Sequence, residues 1–169
     1  MPSSYNRGDH YHKKARQAGM PARSIFKLEE LDKRFQLLHK GDRILDLGAA
    51  PGSWTRYAAQ RVGAKGSVFA MDLNPLAEFS LPGWVQFVQG DVMAMPLADY
   101  PQTVEVVLSD MAPKTTGDRF GDAARSHELS LRVLEIADAC LTVGGKVLFK
   151  VFEGEDTPHP GWDALLTED

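Results

Sequence analysis

Five short runs rich in β-branched and aromatic residues recur along this chain, at 42–48 (DRILDLG), 67–72 (SVFAMD), 85–90 (VQFVQG), 104–110 (VEVVLSD) and 146–152 (KVLFKVF). Each has the length of a buried strand and is bounded by Gly, Asp or Pro. Helical patterns lie between them at 53–62 and 123–142, the second carrying Leu129, Leu131, Val133, Leu134, Ile136, Ala137 and Leu141 before a Gly144-Gly145 stop. A further helix is expected from Ser24, as N-cap, to about Leu38, with Ile25, Leu28, Leu31 and Phe35 on its apolar side. Strands that alternate with helices leave few options. The pattern predicts an α/β fold, a doubly wound and mainly parallel sheet with right-handed crossovers.

At 169 residues with 43% hydrophobic content, the chain suffices for one core. Residues 1–23 read as a basic arm, 24–155 as the folded domain and 156–169 as an acidic tail, since from Glu153 onward there are six acidic residues and no Lys or Arg. The net charge of -4 hides an asymmetry: residues 1–40 hold nine Lys/Arg against four Asp/Glu, the remainder ten against nineteen. A basic arm on an acidic body suits a nucleic-acid contact, although a solvated terminus explains it equally well. No apolar run approaches the ~18 residues of a membrane span, and the N-terminus lacks the apolar core of a secretory signal, so a cytoplasmic protein is expected. The single cysteine, Cys140, lies in an apolar helical pattern and reads as a buried small hydrophobe.

The chemistry concentrates at strand ends. DLGAAPGSW (46–54) follows the first strand, and its Gly48 and Gly52 allow a sharp turn with close backbone approach to a ligand. The spacing is not that of a dinucleotide fingerprint, and no phosphate-binding Lys-Ser/Thr follows, so nicotinamide and nucleoside triphosphate cofactors lose ground. S-adenosylmethionine (AdoMet) needs no pyrophosphate cradle. It asks for an acid at the end of the second strand to hold its ribose hydroxyls, where Asp72 stands, and for an acceptor near its adenine amino group, where Asp91 stands. The competing explanation for both acids is strand-end turn chemistry. Trp54 either stacks on the cofactor or packs a helix start.

The segments DLGAAPGSW, QGD, SDMAP and FKVF, in this order, with FKLEE at 26–30, resemble the FtsJ/RlmE family of ribosomal RNA 2′-O-methyltransferases over about residues 9–155. The resemblance implies an AdoMet-dependent Rossmann-like fold and, for the bacterial branch, a uridine of large-subunit (23S) ribosomal RNA as target. It implies that Gly52, Trp54, Asp72, Asp91 and Asp110 bind AdoMet, that Lys150 accepts the proton, and that Lys27 and Asp110 fill two further positions of a Lys-Asp-Lys-Glu tetrad. Glu153 and Glu155 come too soon after Lys150 to be the fourth member, and Glu168 lies in no strand-like context. Ser53 and Lys114 replace a common glycine and asparagine of the family, and Lys114 would add a phosphate contact.

A ribose hydroxyl is a poor nucleophile unless its proton is removed, which makes Lys150 a base provided its amine is neutral. Asp110 would orient that amine, and Lys27 would stabilise the developing alkoxide or hold a phosphate. Arg7, Lys13, Lys14, Arg16 and Arg23 are candidate RNA-backbone contacts, and Tyr5 and Tyr11 could stack on bases. His10 and His12 read as exposed arm residues, and no metal site is expected. Only 17 residues follow Phe152, so the last two strands of the fold are expected to be lacking and the strand carrying Lys150 to form an exposed sheet edge. This leaves a second possibility, a shortened relative that binds RNA or AdoMet without methylating. Transfer RNA or an mRNA cap are alternative targets, and a small-molecule methyltransferase is disfavoured by the basic arm.

Overall fold

A computed structural model describes residues 24–77 and 80–151, together with the backbone of 165–167. Helix α1 (Ser24–Phe35) leads into β1 (Arg43–Leu47), α2 (Ser53–Val62), β2 (Ser67–Asp72), β3 (Val85–Gln89), β4 (Val104–Ser109), the long α3 (Arg119–Cys140), β5 (Leu141–Phe149) and a three-residue β6 (Leu165–Thr167). The strands form one sheet in the order β3-β2-β1-β4-β5-β6. Strands β1 to β5 pair in parallel, and β6 joins antiparallel. The expected doubly wound α/β sheet is therefore present.

Strand alternation divides the core between two faces. Ile44, Val106, Leu108 and Leu148 pack under α1 and α2 against Leu28, Leu31, Trp54 and Ala58. Leu45, Leu47, Val107, Val147 and Phe149 pack under α3 against Val133, Ile136, Ala137 and Cys140. Complete burial of each large aliphatic side chain contributes about 1.5–3 kcal/mol, so both helical layers are held by apolar contact. Cys140 is fully buried, as its pattern suggested, and burial pushes its thiol up.

Three boundaries differ from the sequence expectation, each for a tertiary reason. Helix α1 stops at Phe35 rather than Leu38 because Gln36 takes a left-handed φ of 50°. Leu37 and Leu38 then fold into the core, and the buried Asp32 carboxylate accepts the Leu38 N–H at 2.9 Å. Helix α3 begins at Arg119, where Asp118 caps it by accepting the Phe120 N–H. It ends at Cys140, and Gly144-Gly145 is not its stop: both glycines lie inside β5, where the register against β4 shifts between Val104 and Val106.

A further strand does exist after Phe152. Residues 165–167 of the acidic tail pair with β5 in the register Lys146↔Thr167, Val147↔Leu166 and Leu148↔Leu165. The edge expected to be bare is covered over those three residues, and part of the tail belongs to the sheet. The Ser24 side chain, named above as an N-cap, and Phe152, Glu153, Glu155 and Glu168 lie outside the described residues.

Candidate active site

The sheet reverses its winding between β1 and β4, and a crevice opens at the carboxyl ends of the strands at such a switch point. A cleft of about 600 Å³ lies there, with Gly48, Asp72, Asp91, Asp110, Met111 and Lys114 in its walls. This is a usual size for a site that encloses most of a small ligand. Gly48 has a φ of 77°, and a Cβ there would collide with the Met111 side chain. The loop after β1 is pinned to β2 by the Gly48 and Ala49 amides, which donate to the Met71 carbonyl at 2.8 and 3.0 Å. Gly52, with φ 108°, opens α2 in a left-handed turn.

Both strand-end acids do turn work and also line the cleft. Asp72 accepts the Ala50 amide at 2.9 Å through Oδ2 and the Asn74 amide at 2.8 Å through Oδ1. Asp91 accepts the Met93 amide at 2.9 Å. A carboxylate offers about four acceptor sites, so capacity remains for a ligand. Trp54 stands differently. It is 3% exposed and packs in the core cluster with Leu28, Leu31 and Ala58, so helix packing accounts for the indole.

The Lys150 Nζ lies 3.4 Å from Asp110 Oδ1, with the two side chains 34% and 21% exposed. The strand ladder brings them together. The Lys150 amide donates to the Ser109 carbonyl at 3.0 Å, continuing the β4–β5 pairing one residue past β5. Two residues beyond Leu108 and Leu148, Asp110 and Lys150 are in phase with the face covered by α1 and α2. Lys27, half-buried, stands on α1 in the layer over that face. Arg7, Lys13, Lys14, Arg16 and Arg23 lie outside the described residues, as do Tyr5, Tyr11, His10 and His12.

Asp46 was legible only as the first letter of a motif, yet it is 1% exposed and lies two residues before the cleft-lining Gly48. Its Oδ2 accepts the Thr55 hydroxyl at 2.6 Å, and its Oδ1 has no hydrogen-bond partner among the described residues. Burial, reinforced by the charges of Asp110 and Asp72 and opposed by the Thr55 hydrogen bond, pushes the carboxyl from 3.8 up to about 7. The folded chain holds a proton there that the unfolded chain releases. Stability from Asp46 is thus complete below about pH 4 and is lost as pH rises through about 7, with a span of up to about 4 kcal/mol. Asp46→Asn should flatten that part of the profile in urea titrations between about pH 4 and 7. An unchanged slope would show that Asp46 is not its source.

Arg125, Glu128 and Leu129 also line the cleft, from one face of α3 at the i, i+3, i+4 spacing. A search for apolar periodicity passes over the two charged members. Arg125 pairs with Asp122 and donates to the Thr116 hydroxyl at 3.1 Å, while Asp122 accepts the Thr116 amide at 3.0 Å. These contacts tie the segment after β4 to α3.

Residues 20–159 match the FtsJ-like methyltransferase family. The chain belongs to that family. A relative from Sorangium cellulosum named Ribosomal RNA large subunit methyltransferase E is 50% identical over 155 residues, 90% of this chain and 72% of the relative. One of the same name from Nitratidesulfovibrio vulgaris is 50% identical over 153 residues, covering 88% and 76%. Among solved structures, a Plasmodium falciparum protein provisionally described as a ribosomal RNA methyltransferase superposes with a TM-score of 0.69 at 27% identity, covering 79% of each chain. A SAM-dependent methyltransferase from Aquifex aeolicus shares the fold, with a TM-score of 0.53 at 22% identity, covering 88% and 77%.

The cleft suits the AdoMet of an FtsJ-like methyltransferase. Its volume accommodates the molecule, and Asp72 and Asp91 offer carboxylate oxygens for hydroxyl and amino donors. Asp110 adds negative charge on the side of Lys150, where a sulfonium cation would be favoured. Among the described residues, no helix is long and apolar enough to cross a membrane.

Proposed function

We propose that this chain methylates a ribose 2′-hydroxyl of large-subunit ribosomal RNA, at a uridine, using AdoMet. The observation that carries the reading is the Lys150–Asp110 pair at the tips of adjacent strands, with Asp110 in the wall of a cofactor-sized cleft. AdoMet, when bound, supplies a methyl group activated by its sulfonium. Lys150, as the neutral amine, accepts the proton of the hydroxyl as the oxygen forms its new bond to carbon. Asp110 holds the Nζ in place and accepts a hydrogen bond from the ammonium that results. Lys27 contributes positive charge near the oxygen while it bears the developing negative charge. The RNA is held partly by the basic arm, through Arg7, Lys13, Lys14, Arg16 and Arg23, because cations there release counterions from phosphates. The names of the relatives support the choice of ribosomal RNA. On this reading the protein works in the cytoplasm, with the large ribosomal subunit or its RNA as partner.

Large-subunit RNA incubated with the protein and methyl-labelled AdoMet, then digested to nucleosides, should give label in 2′-O-methyluridine. Label on a base, or AdoMet binding without any transfer, would refute the proposal.

A further inference from the structure

The segment that leaves Asp110 crosses the cleft wall and enters α3 with residues 114–120 all exposed. Phe120, in the first turn of α3, is 90% exposed, the most exposed aromatic side chain among the described residues. Hydrophobic burial gives no reason for a phenyl ring in that position, and α3 does not need it. Lys114 and Arg119 precede it in the same exposed stretch. Neither has an ion pair or hydrogen bond among the described residues. The acids in the same stretch are engaged locally: Asp118 caps the helix through the Phe120 amide, and Asp122 engages Thr116 and Arg125. What the segment presents to solvent is thus one aromatic side chain and two cations that are unclaimed among the described residues.

We infer that Lys114, Arg119 and Phe120 form a platform for single-stranded RNA beside the methyl-acceptor site, with Phe120 stacking on a base next to the target nucleotide and the two cations contacting its phosphates. The inference rests on the reading that the substrate is RNA, and it names where that RNA is gripped outside the basic arm. Geometry supports the placement. Lys114 lines the cleft itself, and the segment begins at Asp110, which touches Lys150. Phe120 lies five residues before Arg125, about 7 Å along the helix and roughly 140° around it. Arg125 and Lys114 line the cleft and Phe120 does not, so the ring stays clear of the cofactor wall while the same stretch of chain reaches it. The Thr116–Asp122–Arg125 contacts fix the segment before any RNA arrives, so little ordering entropy opposes stacking. Every base has a stacking face, and aromatic stacking is worth about 1–3 kcal/mol per base.

The test uses the full chain and an RNA oligonucleotide carrying the target uridine with its flanks unpaired. Phe120→Ala should raise the KM for RNA roughly 5- to 100-fold, while Phe120→Trp restores it, and AdoMet affinity by calorimetry and the melting temperature stay as in the wild type. Lys114→Ala with Arg119→Ala should weaken RNA binding and lower its dependence on log salt by about 1.4, the slope expected for two lost phosphate contacts on a single strand. If the wild type methylates RNA and Phe120→Ala leaves KM unchanged, the platform is refuted and the function stands. If the wild type neither binds nor methylates RNA, the function fails and the platform with it.

Discussion

Replacing Lys150 by alanine should lower single-turnover methyl transfer by about 10²- to 10⁴-fold, the range lost with a general base, while the AdoMet dissociation constant changes little. On the proposed reading this amine takes the proton, and it lies 3.4 Å from the Asp110 carboxylate at the tips of β4 and β5. Lys150→Arg separates two roles. A guanidinium keeps the positive charge but does not deprotonate in a protein, so it should be as inactive as alanine if Lys150 is a base. Retention of most of the rate by the arginine variant would show that charge alone is required. Asp110→Asn should cost less than either, because the amide still accepts a hydrogen bond from Nζ, and the loss should appear in kcat rather than in the KM for RNA.

Asp32→Ala should destabilise the fold by about 2–4 kcal/mol, because it strands the buried Leu38 amide and removes two further hydrogen bonds to a carboxylate. Asp32 is 2% exposed and serves three donors on three parts of the chain. Oδ1 accepts the Leu38 amide at 2.9 Å, and Oδ2 accepts the Tyr57 hydroxyl and the Arg61 Nε, both at 2.8 Å. Burial first, then the hydrogen bond to Asp32, pushes the Tyr57 hydroxyl well above the usual range. One carboxylate therefore joins α1, the turn after it and α2. Asp32→Asn keeps acceptor capacity at a loss of charge and should fall between wild type and alanine. Urea denaturation measures all three, and a loss below about 1 kcal/mol for alanine would show that these contacts are dispensable.

The sheet could be read from the sequence because parallel strands buried on both faces appear as apolar runs whatever surrounds them. Thus 67–72 and 104–109 are found where expected. Elements defined by a partner were not legible. Leu165–Thr167 is a strand because β5 offers it a hydrogen-bonding edge, and nothing in the local residues marks it apart from an acidic tail. Gly144-Gly145 looks like a helix stop until the register of β5 on β4 is known. The site divides in the same way. Gly48, Asp72, Asp91 and Asp110 reach the cleft because strand ends do so in this topology. The burial of Asp46 depends on α2 bringing Thr55 across it, and the cleft-facing Arg125 and Glu128 depend on the rotation of α3. No local pattern encodes either.

The short β6 bears on the setting of Lys150. Antiparallel pairing sends β6 from Leu148 toward Lys146, so it runs away from the end of β5 that leads to Lys150. Thr167, opposite Lys146, is about 13 Å from Lys150 along the strand. Among the described strands, β5 is gripped from both sides at Lys146, Val147 and Leu148, whereas Lys150 is held by β4 through the Ser109 carbonyl. The side chain that meets Asp110 is thus carried two residues past the doubly paired stretch, where β6 steadies the base of the strand and not its tip.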